Sequence, residues 1–101
     1  MGNLSTKTSE TLKSARRASS TTQKGIAKIL RVNAATISRY ENGELLPPVT
    51  KAAKLADILE IPKGEFMRNH CADALADMLR EYRRHPDITD ILKETISTLR
   101  E

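Results

Sequence analysis

Between Thr22 and Gly43 the chain has room for two short helices and almost nothing between them. Thr21 or Thr22 can cap the first, whose apolar residues Ile26, Ala27, Ile29 and Leu30 recur at helical spacing. Asn33 can cap the second, which is expected from Ala34 to about Glu41 with Ile37 and Tyr40 on its inner side. Asn42-Gly43 ends it, since both residue types tolerate the left-handed backbone that a helix exit commonly requires. Arg31 and Val32 are all that remains for the join, so the turn must be tight. Small Ala27 lets the two helices approach closely, and Val32 fills the turn. A pair built this way can bury one side and still project its second helix clear of the core.

The flanks read as further helices. Ser9 is a plausible N-cap with Glu10 in the first turn, and Leu12, Ala15 and Ala18 form a stripe that stops near Ser19-Ser20. Beyond Pro47-Pro48, Val49 to about Glu60 is apolar on more than one side, as a well-buried helix would be. Lys63 to Met67 predicts a short fifth helix whose Phe66 plugs the core. Cys71, Leu75, Met78, Leu79 and Tyr82 make one more amphipathic stripe, and Ile88, Ile91, Leu92, Ile96 and Leu99 another beyond His85-Pro86-Asp87. On this phase Cys71 is expected inside a helix contact and His70 outside. No strand alternation intervenes, so the fold is expected to be all-α. The organisation is a flexible arm over residues 1–9, a compact unit over 10–68 and a C-terminal helical segment over 69–101.

Composition narrows the chemistry. With one Phe, two Tyr and no Trp among 101 residues, the core must be made of Ala, Leu, Ile and Val. A single Cys rules out an internal disulfide. His70 and His85 are the only histidines, no Gly-rich phosphate loop occurs and no metal-spaced cluster is present, so neither catalysis, a cofactor nor a metal is expected. No apolar run approaches the ~18 residues of a membrane span, and a cytoplasmic, nucleoid-associated protein without membrane contact is the expectation. The net charge of +4 is uneven: residues 1–69 hold 12 Lys/Arg against 6 Asp/Glu, while residues 70–101 hold 5 against 7. The basic part suits a polyanion.

Thr22-Gln23-Lys24-Gly25-Ile26-Ala27, then Val32, then Thr36-Ile37-Ser38-Arg39-Tyr40-Glu41-Asn42-Gly43 resembles the Cro/phage-repressor (XRE) helix-turn-helix family. Leu46-Pro47 and Lys54-Leu55-Ala56-Asp57-Ile58-Leu59 continue the likeness, which covers about Leu12 to Phe66. The resemblance implies a five-helix lambda-repressor-like domain with helix 34–41 in the major groove of double-stranded DNA. It further implies phosphate contacts from Gln23 and, in the loop after the recognition helix, Asn42; from their own chemistry Thr22, Lys24, Lys28, Arg31, Lys13 and Arg17 are read as further backbone contacts. Arg39 is the expected base reader, because a guanidinium offers two donors to guanine O6 and N7. Asn33, Ala34, Ala35, Thr36 and Ser38 complete the outward set, with the alanines limited to methyl contacts. Glu41 would be repelled by phosphates, and similar family members pair it with a basic residue of the first helix, here Arg16. Three departures from the family pattern stand out: Ser20-Thr21, Arg31 and Glu60 lie where glycine-containing sequence is usual.

A helix-turn-helix reads a short half-site, so two copies over an inverted repeat are the expectation. The stripes Leu75, Met78, Leu79, Tyr82 and Ile88, Ile91, Leu92, Ile96, Leu99 are assigned to self-association as homodimer or homotetramer, against the alternative that they cover the monomer's own core. The expected output is repression. A CII-type phage activator, tetrameric through its C-terminal helix, and a protein-binding adaptor on the same fold are the alternatives; operator sequence and any antagonist or RNA polymerase contact are not readable from the chain.

Overall fold

The computed structural model describes residues 6–100. Six helices follow one another without a strand among the described residues: α1 Lys7–Ala18, α2 Gln23–Leu30, α3 Ala34–Asn42, α4 Val49–Ile58, α5 Lys63–Arg83 and α6 Thr89–Arg100, with a single 3₁₀ turn at Pro86–Ile88 before α6. The all-α class follows from the sequence pattern, and so do the caps of the central pair. Thr22 Oγ1 accepts from the Gly25 amide at 2.9 Å, and Asn33 Oδ1 accepts from the Thr36 amide at 2.8 Å. Gly25 suits this place, because a Cβ there would lie 3.2 Å from the capping Thr22 hydroxyl.

Leu12, Ile26, Leu30, Ile37, Tyr40, Leu55 and Phe66 form the centre of the core, each no more than 4% exposed. They come from α1, α2, α3, α4 and α5, so every helix except α6 contributes. Ala27, Ala52 and Ala56 are equally buried, and their small side chains let α2 and α4 sit close to their neighbours. The turn at Val32 packs against this cluster.

The expected ends of three helices are corrected. The first helix starts at Lys7, capped by Thr6 rather than Ser9: Ser9 N donates to Thr6 Oγ1 at 3.0 Å and Ser9 Oγ accepts from Thr6 N at 2.8 Å. Ser9 is thus the third residue of a reciprocal capping box, and with Thr8 it is buried, so the arm assigned to residues 1–9 includes the first turn of α1. Residues 1–5 lie outside the described part. The fourth helix ends at Ile58, two residues before the expected Glu60. The short fifth helix does not stop at Met67; α5 continues for 21 residues, and the boundary drawn between 68 and 69 falls inside it. Glu65 to His85 contains neither Gly nor Pro, so nothing interrupts the helix until Pro86.

Continuity also sets the phase of α5. Phe66, His70 and Asp73 fall on one face at i, i+4 and i+7, and this face docks. His70 is 4% exposed, with its Nε2 donating to the Pro47 carbonyl at 2.6 Å, whereas Cys71 is exposed: the reverse of the expectation. Asp73 Oδ2 accepts from the Thr8 amide at 3.1 Å and from its hydroxyl at 2.5 Å, which ties the start of α1 to α5.

Ser20, Arg31 and Glu60 are the non-glycine residues with positive φ among those described, at 58°, 62° and 54°. These are the three departures noted in the sequence, and each ends a helix in left-handed backbone where a Cβ is unfavourable. Replacing each with glycine removes that strain but adds chain entropy to the unfolded state. The expected net gain is about 0.5–1 kcal/mol per site, or roughly 2–8 °C in melting temperature by thermal denaturation. Losses at all three would show that the side chains are held by compensating contacts.

Candidate nucleic-acid interface

α2 and α3 meet across Arg31-Val32, with Arg31 as the left-handed C-cap of α2 and Asn33 as the N-cap of α3. Ile37, Tyr40 and Glu41 face inward, while Asn33, Ala35 and Arg39 are exposed and Thr36, Ser38 and Asn42 are half-buried. Ala34 differs from the other expected readers. It shares the inner face with Ile37 and Glu41 at i+3 and i+7 and packs half-buried against the core, which leaves only part of its methyl facing outward. Asn42 is also corrected: it is the last residue of α3, not part of the following loop, and Gly43 makes the exit at φ 76°.

Glu41 is 5% exposed. Arg16 grips it with two parallel bonds, Nε to Oε2 at 2.6 Å and Nη2 to Oε1 at 3.1 Å. The remaining guanidinium nitrogen, Nη1, donates to the Thr21 carbonyl at 3.0 Å, and Gln23 Nε2 donates to Glu41 Oε1 at 3.0 Å. One carboxylate therefore connects α1, the α1–α2 turn, the first residue of α2 and the end of α3. The bond to Glu41 raises the Arg16 pKa, with burial opposing it. Burial alone raises the Tyr40 phenol.

The consequence for the surface is electrostatic. From Thr22 to Gly43 the exposed charged side chains are Lys24, Lys28, Arg31 and Arg39. The segment's single carboxylate is Glu41, withdrawn and neutralised by Arg16. At the start of α2, Thr22 takes the Gly25 amide, leaving the Gln23 and Lys24 amides as the first-turn donors available to an anion. The other expected phosphate ligands are less uniform. Thr22, Lys24, Arg31 and Arg17 are exposed, Lys13 is half-buried, and the Gln23 and Asn42 side chains are engaged within the protein. Asn42 Nδ2 donates to Ser38 Oγ at a long 3.4 Å.

The model of the helix-turn-helix family matches residues 12–66, the span that contains this pair and its supporting helices. The chain belongs to the XRE-type helix-turn-helix family. It is a DNA-binding transcription regulator. No curated protein matches the chain. The helix-turn-helix match ends at Phe66, within α5, so the domain and the C-terminal segment share a continuous helix.

In that segment the residues expected to self-associate divide in two. Leu75, Met78, Ile91, Ile96 and Leu99 are exposed, while Leu79, Tyr82, Ile88 and Leu92 are partly covered where α6 and the 3₁₀ turn meet α5. On α5, Leu75 and Met78 lie opposite the docked Phe66–His70–Asp73 face. The radius of gyration, 15.5 Å, exceeds the ~13 Å of a compact chain this long, consistent with α6 extending from the domain. No described helix is long and apolar enough to cross a membrane.

Sequence reasoning missed the Thr8–Asp73 and His70–Pro47 ties, which join residues 65 and 23 positions apart and leave no local pattern to read. For the Glu41 cluster, Arg16→Met is expected to cost roughly 3 kcal/mol in denaturant unfolding, because it strands a buried carboxylate. Adding Glu41→Leu should recover much of that loss. Equal stability of the wild type and Arg16→Met would show that the pair carries no structural weight.

Proposed function

We propose that the protein is a sequence-specific repressor that inserts α3 into the major groove of double-stranded DNA and binds as a symmetric pair of chains over an inverted repeat. The single observation that carries the reading is the charge of the helix-turn-helix surface: four exposed cations and no exposed carboxylate from Thr22 to Gly43. Arg39, exposed on α3, is the base reader, with bidentate donation to guanine as its chemistry. Asn33, Ala35, Thr36 and Ser38 supply the remaining direct contacts. Lys24, Arg31, Thr22, Arg17 and Lys13, with the first-turn amides of α2, hold phosphates. Gln23 and Asn42 add phosphate contacts after exchanging their internal bonds for the DNA.

Repression by occupancy needs nothing beyond binding, and that is why repression is the output assigned. Pairing rests on the apolar residues that α5 and α6 leave exposed, Leu75, Met78, Ile91, Ile96 and Leu99. Two copies related by a two-fold axis would meet successive half-sites about 34–36 Å apart.

Binding to duplexes recovered by selection from random DNA, measured by fluorescence anisotropy across salt, tests the reading. Affinity should fall steeply with salt, with a log–log slope of about −0.9 for each phosphate neutralised. Arg39→Ala should weaken the selected site by about 1–3 kcal/mol and weaken random duplex far less. The stoichiometry should be two chains per duplex. Salt-independent binding would refute the phosphate contacts, equal losses on both duplexes would refute base reading by Arg39, and one chain per duplex would refute the pairing.

A further inference from the structure

The hydrogen bonds that cap α3 also restrict which base its first turn can accept, an inference that rests on α3 being the DNA-reading helix. Asn33 Oδ1 accepts two bonds, from the Thr36 amide at 2.8 Å and from Thr36 Oγ1 at 2.9 Å. A backbone N–H only donates, so the atom it meets must be the amide oxygen, and the orientation of the Asn33 side chain is settled. Both Oδ1 lone-pair positions are occupied, and the Nδ2 group remains with two free donors on an exposed residue. The Thr36 hydroxyl proton is likewise committed to Asn33.

An asparagine with both ends free recognises adenine bidentately, accepting from N6 and donating to N7. Asn33 is denied the first half of that pairing by its own cap. We propose that Asn33 is a specificity-determining residue that acts as a donor-only reader, selecting a base edge that offers an acceptor at the position where adenine carries its amino group. Guanine meets this with O6 beside N7, and thymine with O4. Two neighbouring groups bear on the same edge. Arg39 is donor-only by its chemistry, and Glu41, the carboxylate that might have accepted from cytosine or adenine, is buried against Arg16. Ala35 adds one exposed methyl, suited to a thymine methyl. The base edge beside Asn33 is therefore that of guanine or thymine, and adenine is disfavoured there.

The test is parallel selection from random duplex DNA with the full chain, as wild type, Asn33→Ser and Thr36→Val, each checked for folding by circular dichroism and thermal melting. Serine keeps a capping oxygen but lacks the amide; valine keeps the backbone bond but frees one Oδ1 lone pair. The wild type should select guanine or thymine at a position where Asn33→Ser loses the preference. Exchanging that base for adenine should weaken the wild type roughly tenfold. Thr36→Val should admit adenine there. Adenine selected by the wild type, or the same sites recovered with Asn33→Ser, would overturn the proposal while leaving DNA reading by α3 intact. Thr36→Val with an unchanged preference would overturn the cap as its cause. No enriched sequence from the wild type would refute the proposal together with sequence-specific DNA reading.

Discussion

Glu41 is a carboxylate placed one residue before the end of a helix whose other face is proposed to meet a polyanion. Left in water beside phosphates it would repel them; left alone in the core it would be prohibitively costly to ionise. The bidentate grip of Arg16 resolves both problems, because the pair withdraws the negative charge and satisfies it at the same time. The same group then carries mechanical weight. Arg16 belongs to α1, Thr21 to the turn that follows, Gln23 to α2 and Glu41 to α3, so the angle between the helices is held by one connected set of hydrogen bonds. The surface of cations that remains on α2 and α3 is a by-product of that internal arrangement.

Much of this was legible in the residues. The caps at Thr22 and Asn33 follow from side chains that can bond a first-turn amide, and the positive φ of Ser20, Arg31 and Glu60 falls where the family usually has glycine-containing sequence. The inner face of α3 followed from spacing for Ile37 and Tyr40, but the half-buried place of Ala34 did not, because a methyl is ambiguous: it fits a core position and a surface equally well. The phase of α5 failed for a different reason. Reading Lys63–Met67 as a separate helix broke the register that joins Phe66 to His70 and Asp73, and so exchanged the places of His70 and Cys71. Helix ends set by long-range partners, such as the Thr8–Asp73 tie, have no local signature.

That continuous α5 changes how the C-terminal segment relates to the helix-turn-helix domain. Its first half is part of the domain, with Phe66 in the core, His70 on the Pro47 carbonyl of the segment leading out of α3, and Asp73 on the first turn of α1. Its second half presents Leu75 and Met78 on the opposite side. A partner held there would thus be attached through a rigid helix and not through a slack linker, and the spacing between two recognition helices would be fixed by the fold.

The central claim is that α3 meets base edges in the major groove through Arg39. Methylation interference on a tightly bound duplex tests it most directly, because dimethyl sulfate marks guanine N7 in the major groove and adenine N3 in the minor groove. The account expects N7-methylguanine at discrete positions to be excluded from the bound fraction, with at least one of those positions becoming indifferent in Arg39→Ala. Interference confined to adenine N3, or a guanine pattern identical in the two proteins, would contradict it.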